Sequence, residues 1–188
     1  MAIYNEFGYI TIDDARIDET CNAYFKWKDL NTYISNNSHR GINMPDAISE
    51  PMGCYCLGYL WNRGDEVGDA TDPNTGRKIE FKATSRFEGD LSSFGPKCVF
   101  DDLVFLRFKL DENLLYIYDL NINSEEFGKY LGHAMANLAA VADPSAIVIG
   151  GGVSKAGEVL LQYVEKNFKE KAFFANKDTE FVLATLGN

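Results

Sequence analysis

Apolar residues near the N-terminus recur with the helical period of about 3.6 and predict a first helix. The helix should begin at Asp13 or Asp14, because an aspartate side chain can accept hydrogen bonds from the unpaired N–H groups of the first turn. It should end in the polar run over 35–38. The apolar positions that define it are Ile17, Cys21, Tyr24, Phe25 and Leu30.

A second helical segment follows, but its interior contains residues that disfavour a helix. It is expected from Asn43 or Pro45 to about Trp61. Proline removes a backbone donor and glycine adds backbone freedom, so the segment should break or kink at these residues. They are Pro51, Gly53 and Gly58.

Short extended segments come next and predict two β-hairpins. The first joins strands over 67–72 and 77–84 through the turn Pro73-Asn74-Thr75-Gly76, with proline at the first central position and glycine closing it. The second joins strands over 103–109 and 114–120 through a three-residue turn. A polar loop over 85–98 separates the hairpins.

The last third of the chain predicts an α-β-α-β order. Helices are expected over 125–142 and 154–174, and strands over 146–149 and 181–186, with a glycine turn at 150–152. The predicted fold class is therefore α/β. A mixed sheet with two N-terminal helices would surround the hairpins, and the C-terminal unit would extend or flank it.

Composition and charge narrow the class of protein. The chain has 188 residues with a formal net charge of -10, which fits one globular domain with at most a small appendage and argues against indiscriminate nucleic-acid binding. Residues 1–127 carry this whole charge, whereas residues 128–188 are neutral. No apolar run or leader pattern stands out, so a cytoplasmic location is expected. The four scattered cysteines are typical of reduced core thiols.

The spacing of two acidic residues and a lysine in the first hairpin predicts a metal-dependent hydrolytic site. Asp69 is followed after ten residues by Glu80, and Glu80 by Lys82 two positions later. Strand alternation places Glu80 and Lys82 on one face and Ile79 and Phe81 on the other. Two carboxylates can hold Mg²⁺, with the Phe81 carbonyl as a further ligand, and an ammonium can orient the attacking water. The alternative is an exposed acidic hairpin with an incidental Glu-x-Lys.

The Asp69-x10-Glu80-x-Lys82 motif resembles the PD-(D/E)XK nuclease motif. The string GDATDPNTGRKIEFKATSRFEGDLSSFGP around it is similar to type II restriction endonucleases that cut GCNGC. Two further blocks resemble the same family, RGINMPDAISE over 40–50 and FDDLVFLRF over 100–108. The resemblance implies that Asp69 and Glu80 bind the metal and that Lys82 is catalytic. Glu50 would be an extra acidic group, and Gly68 stands where the motif has proline.

The loop after the catalytic strand supplies candidates for DNA contact, because arginine can read guanine and hydroxyl groups can contact phosphate. Each of them has an alternative as an ordinary solvated loop residue. The candidates are Thr84, Ser85, Arg86, Ser92 and Ser93, together with Arg40 upstream.

From about Phe127 the sequence resembles the C-terminal part of a ROK-family glucokinase instead. The boundaries are therefore set at 1–126 for a restriction endonuclease-like domain and 127–188 for a ROK-like segment. The turn GGGVS borders the nucleotide site in that family, but the family's phosphate-binding, catalytic and zinc motifs are absent from this sequence.

The leading function is Mg²⁺-dependent cleavage of double-stranded DNA at a short palindromic site, GCNGC-like by resemblance. The resemblance implies a homodimer and a cognate methyltransferase in the same system. Two alternatives stay open. One is an inactive chimera that acts at most as a DNA-binding or interaction module, and the other is a sugar kinase fragment.

Overall fold

The computed structural model describes residues 8–38, 41–62, 68–87, 99–150 and 157–184. Within these ranges the chain forms a six-stranded sheet in the order β1-β2-β3-β4-β5-β6 and a separate two-stranded sheet of β7 and β8. The strands are β1 Tyr9–Ile10, β2 Leu60–Asn62, β3 Ala70–Thr71, β4 Lys78–Thr84, β5 Asp102–Lys109, β6 Leu114–Asp119, β7 Ala146–Ile149 and β8 Glu180–Leu183. The helices are α1 Asp14–Asn37, α2 Asp46–Leu57, α3 Ser124–Ala142 and α4 Gly157–Lys171.

The first helix is confirmed at both ends. Asp13 is the N-cap residue, and its side chain accepts a hydrogen bond from the Arg16 backbone N–H at 2.8 Å. The helix ends at Asn37, inside the polar run that was expected to stop it. Its buried side chains, Tyr24 and Trp27 among them, face the sheet.

The second helix is shorter than predicted. It stops at Leu57 because Gly58 adopts the left-handed conformation (φ 73°) and its N–H caps the Cys54 carbonyl. Trp61, expected at the end of the helix, lies in β2 instead. The helix continues through Pro51 and Gly53, both buried, and a Cβ on Gly53 would lie 2.9 Å from the Phe81 ring. Glycine therefore allows α2 to lie close against β4.

Both predicted hairpins are confirmed. β3 and β4 pair antiparallel around the turn over 72–77, with a first strand shorter than expected, and β5 and β6 pair antiparallel in full register. β4 and β5 are parallel, a pairing that local periodicity does not predict, and they unite the two hairpins in one mixed sheet. Much of the loop between them, over 88–98, lies outside the described residues.

The main hydrophobic core lies between this sheet and the helices α1 and α2. Alternate residues of each strand point into it, so the opposite parity points to the other face of the sheet. Its buried members on β3, β4 and β5 are Ala70, Ile79, Phe81, Val104, Leu106 and Phe108.

The C-terminal α-β-α-β order is confirmed, and its strands β7 and β8 pair parallel in a sheet of their own rather than in the large sheet. α3 begins with a capping box between Asn123 and Glu126, so the predicted boundary at 126/127 falls within its first turn. β7 occupies the predicted residues, and α4 ends at Lys171, three residues earlier than expected. Among the described residues, no helix is long and apolar enough to cross a membrane.

Two glycines on α3 permit its close packing against α4. A Cβ on Gly132 would lie 2.5 Å from the Val164 carbonyl oxygen and 2.9 Å from the Phe168 nitrogen. Both neighbours are backbone atoms and cannot rotate away. A Cβ on Gly128 would lie 2.5 Å from the Tyr163 Cβ. The helix pair therefore depends on small residues along this seam.

Gly132→Ala should lower the free energy of unfolding by about 1–3 kcal/mol, because the added methyl forces α3 and α4 apart. Helix propensity alone predicts the opposite, a gain of about 1 kcal/mol. The reverse substitution at an exposed position of the same helix, Ala134→Gly, should cost about 1 kcal/mol and is the control. Urea unfolding of both variants measures these values. A Gly132→Ala protein that is as stable as the parent would contradict the packing.

Candidate active site

The candidate site lies on the face of the sheet opposite to the helices. Ala70 pairs with Ile79, so continuing the antiparallel register by one residue places Asp69 opposite Glu80. Ala70 and Ile79 are both buried in the core on the helix side. Asp69 and Glu80 have the other parity, and Lys82 shares it, so these three side chains lie on one face.

Asp69 is held by hydrogen bonds on two sides. Its N–H donates to the Ile79 carbonyl at 3.0 Å, and its own carbonyl accepts from the Asn62 N–H at 3.0 Å. One carboxylate oxygen, Oδ2, accepts from the Phe81 N–H at 2.8 Å. The Asp69 carboxylate therefore accepts the hydrogen bond that a backbone carbonyl would otherwise accept from the Phe81 N–H. This bond fixes the direction of the Asp69 side chain.

Gly68 explains the departure from the proline of the motif. Its φ is 83°, a conformation closed to proline and costly for any residue with a Cβ, and an added Cβ would lie 3.0 Å from the Ile79 carbonyl oxygen. The buried Asn62 side chain donates from Nδ2 to the Gly68 carbonyl at 2.8 Å. Glycine here is a backbone requirement of this turn, and Asn62 holds the turn in place.

Glu80 and Lys82 form a short ion pair. Lys82 Nζ lies 2.5 Å from Glu80 Oε1, and the Glu80 side chain is 0% exposed against 16% for Lys82. A carboxylate so completely buried needs a partner, and the ammonium two residues along the same strand supplies one. The pair also holds Lys82 beside the carboxylates.

Glu50 lies on the helix side of the sheet. Its Oε2 accepts a hydrogen bond from the Trp61 indole N–H at 2.8 Å. Burial raises the pKa of the neighbouring Cys54 thiol well above its ordinary value, and the Glu50 and Asp69 carboxylates raise this pKa further. Cys54 is therefore a protonated, unreactive core thiol, as predicted, whereas Cys21 is half-buried and Cys56 is exposed, so the prediction of a core position is wrong for Cys56.

The predicted DNA-contact residues differ in burial, and three of them lie outside the described residues. Thr84 is buried and its Oγ1 accepts from the Arg86 N–H at 3.2 Å, so its hydroxyl stabilises the chain as it leaves β4. Arg86 is exposed and Ser85 is half-buried. Arg40, Ser92 and Ser93 lie outside the described residues.

Strand pairing adds side chains to this face that the sequence analysis did not select. Lys82 pairs with Phe105, and Phe105 with Tyr118. Thr84 pairs with Arg107, and Arg107 with Tyr116. The missing information was the parallel pairing of β4 with β5, which no turn signal or local period reports.

The chain belongs to the Bsp6I restriction endonuclease family, whose model matches residues 12–139. It is 45% identical over 118 residues to the type II restriction enzyme Bsp6I of Bacillus sp., a match that covers 63% of this chain and 67% of that enzyme. The predicted membership of the restriction endonuclease class is thereby confirmed.

The C-terminal resemblance is confirmed as well. A ROK family model matches residues 122–188. The glucokinase of Halalkalibacterium halodurans is 53% identical over 60 residues, which is 31% of this chain but 18% of that enzyme. The glucokinase of Streptomyces coelicolor is 34% identical over 65 residues, 34% of this chain and 20% of that enzyme. The chain thus spans about a fifth of these glucokinases, and α3 begins where the two family matches overlap.

Two glycines with the same backbone conformation test the turn before Asp69. Gly76 has φ 72°, but no atom among the described residues lies within 4 Å of a Cβ built there. Alanine at either position lowers the free energy of unfolding by about 1–2 kcal/mol, because the left-handed conformation is unfavourable for a residue with a Cβ. Gly68→Ala should lower the free energy of unfolding by at least about 1 kcal/mol more than Gly76→Ala does, because only a Cβ at position 68 meets the Ile79 carbonyl. Equal losses in urea unfolding would show that the close approach is not a constraint.

Proposed function

We propose that the chain is a type II site-specific deoxyribonuclease that hydrolyses double-stranded DNA with Mg²⁺ at a short palindromic, GCNGC-like site. The observation that supports this proposal is the placement of Asp69 opposite Glu80, with Lys82 on the same face, in a member of a restriction endonuclease family. Phosphodiester hydrolysis needs negative charge stabilised on the phosphate and a positioned water, and these groups suit both tasks.

The carboxylates fit a Mg²⁺ ion. Among the described residues no group of three or more His, Cys, Asp or Glu side chains is arranged for a metal. Mg²⁺ does not require such a cage, since it keeps several waters and is commonly held by one or two carboxylates and the substrate phosphate. Asp69 and Glu80 would hold it, with the Phe81 carbonyl, which points to the Asp69 side of β4 as its N–H does. When bound, the ion stabilises charge on the phosphate and lowers the pKa of a bound water.

The remaining steps belong to the protein's own side chains. The Phe81 N–H orients the Asp69 carboxylate through its bond to Oδ2. Glu80 holds the Lys82 ammonium at 2.5 Å, so the cation has one fixed position rather than many. From there Lys82 would orient the attacking water and stabilise negative charge that develops on the scissile phosphate. Glu50 on α2 is proposed as an additional acidic group, because its carboxylate and that of Asp69 both lie near enough to Cys54 to raise the pKa of that thiol.

A palindromic site has two equivalent strands, and a homodimer with one active site per strand matches that symmetry. We therefore propose a homodimer, with the nuclease in residues 1–126, the ROK-like segment in 127–188 and a cognate methyltransferase as a cellular partner. The DNA contacts predicted from the sequence stay proposals, and they are Arg40, Thr84, Ser85, Arg86, Ser92 and Ser93. The cytoplasmic location also stays a prediction.

The second candidate is an inactive chimera that retains the hairpin. It is favoured by the C-terminal unit, because the match to the Bsp6I enzyme covers 67% of that enzyme and the ROK match occupies residues 122–188 of this chain. A kinase is not proposed, since the chain spans about a fifth of the glucokinases it matches.

Cleavage of a supercoiled plasmid that carries GCNGC sites tests the proposal. The parent protein should give discrete fragments with Mg²⁺ and none with EDTA. Lys82→Ala should slow cleavage by about 100-fold or more while DNA binding is retained, because the group that orients the water is lost. The control is Lys26→Ala, an exposed lysine on α1, on the other side of the sheet, which should change the rate less than about threefold.

Lys82→Ala removes the ion pair with the buried Glu80 carboxylate, so folding needs its own check. Circular dichroism should match the parent, and Lys82→Arg keeps the charge if Lys82→Ala unfolds. An intact plasmid under all conditions with a folded parent protein would favour the inactive chimera. An unchanged cleavage rate in Lys82→Ala would refute the assigned role of the lysine.

A further inference from the structure

We infer that strands β5 and β6 carry a second DNA-contact surface beside the catalytic groups, in which Arg107 and Lys109 hold phosphates of the DNA backbone and Tyr116 and Tyr118 flank them. This inference rests on the proposed function and assigns the part of the sheet that the substrate covers. The surface is defined by these four residues and is called the β5–β6 surface below.

The β5–β6 surface continues the active-site face without a break. Cross-strand partners in a sheet share a face, so the row Lys82-Phe105-Tyr118 is followed by the row Thr84-Arg107-Tyr116. Neighbouring strands lie about 4.8 Å apart, which places Tyr118 about 10 Å from the catalytic lysine across the sheet. The Phe105 and Tyr118 ring centroids are 6.3 Å apart, so the two rings form a continuous surface.

The cations of this surface are fixed in direction. The Arg107 guanidinium donates to the Phe87 carbonyl, and its Cζ lies 4.7 Å from the centroid of the Phe87 ring. This ring also packs 5.1 Å from that of Tyr116. A guanidinium has five N–H donors, and the bond to Phe87 uses one nitrogen. Stacking on the Phe87 ring therefore orients the Arg107 guanidinium and leaves most of its N–H donors available for phosphate.

Lys109 lies two residues further along β5. Its Nζ is 5.4 Å from the centroid of the same Phe87 ring and donates to Glu112. The hydrogen bond to Glu112 raises the pKa of Lys109, so the ammonium stays charged throughout the neutral range. Together with Lys82, these side chains put positive charge on this face, although residues 1–127 carry a net charge of -10.

The DNA backbone is the partner that this chemistry fits. Binding to DNA depends mainly on lysine and arginine that neutralise phosphates, and tyrosine hydroxyls also donate to phosphate oxygens. Tyr116 and Tyr118 are 37% and 40% exposed, although large aromatic side chains are usually covered. A strongly acidic domain needs local cations to approach DNA, and these lie on the same face as the groups proposed to cut it.

The test measures DNA affinity against salt concentration in EDTA, so that cleavage cannot interfere. A fluorescent 30-base-pair duplex carrying a GCNGC site is titrated with the full chain at several NaCl concentrations. Arg107→Gln and Lys109→Gln should each reduce the magnitude of the negative slope of log affinity against log salt by roughly one, which corresponds to about eightfold weaker binding at 0.1 M salt. The matched control is Lys166→Gln, an exposed ion-paired lysine on α4, whose slope should equal that of the parent.

Arg107 also contacts Phe87, so a second variant separates charge from structure. Arg107→Lys loses the planar fork but keeps the cation, and it should retain the parent slope. Unchanged slopes in both glutamine variants would overturn the inference, even if the plasmid is cleaved normally. Reduced slopes without any plasmid cleavage would support the surface while the proposed nuclease activity fails.

A second copy of the chain is the competing partner, because β6 is an edge strand of the sheet. Sedimentation of the parent and of Tyr118→Ser decides between the two. A monomer–dimer equilibrium that shifts in Tyr118→Ser, with salt slopes unchanged in the glutamine variants, would assign the surface to self-association and overturn the inference. A parent that does not bind the duplex even at 50 mM salt would overturn it as well.

Discussion

The pairing of Ala70 with Ile79 fixes the positions of Asp69, Glu80 and Lys82 in the candidate site. Strand side chains alternate between two faces, so a register shift of one residue would exchange the buried apolar set for the acidic one. In the observed register Ile79 and Phe81 fill the core beneath α1 and α2, while Glu80 and Lys82 lie on the other face. The hydrophobic effect that stabilises the hairpin therefore also assembles the site.

Burying the charged Glu80 side chain costs free energy, which the surrounding contacts must offset. Glu80 is completely buried, and losing the partner of a buried charge typically costs about 3–5 kcal/mol. Asp69 follows a left-handed glycine and is held by Asn62 on one side and by β4 on the other. The effect of these interactions is to keep two carboxylates and one ammonium in a single arrangement.

Sequence patterns predicted the local elements well and the long-range pairing poorly. Turn residues and strand periodicity were sufficient for both hairpins, and the cap at Asp13 was sufficient for α1. Trp61 was misplaced because a helical pattern ran on past Gly58, whose conformation ended the helix. The parallel contact of β4 with β5 joins residues far apart in sequence, so Arg107 and Tyr116 could not be assigned to the active-site face from local signals. The motif of Asp69, Glu80 and Lys82 was found because its spacing is local to one hairpin.

Calorimetric titration of a divalent cation tests whether Asp69 and Glu80 form one cation site. Ca²⁺ is used as the probe in the presence of the duplex, since it binds oxygen ligands of the same kind as Mg²⁺. We expect saturable binding by the parent and at least about tenfold weaker binding by Asp69→Asn, whose amide oxygen can still accept the Phe81 N–H. Equal affinity in the two proteins would show that the cation binds elsewhere and that these carboxylates are not its site.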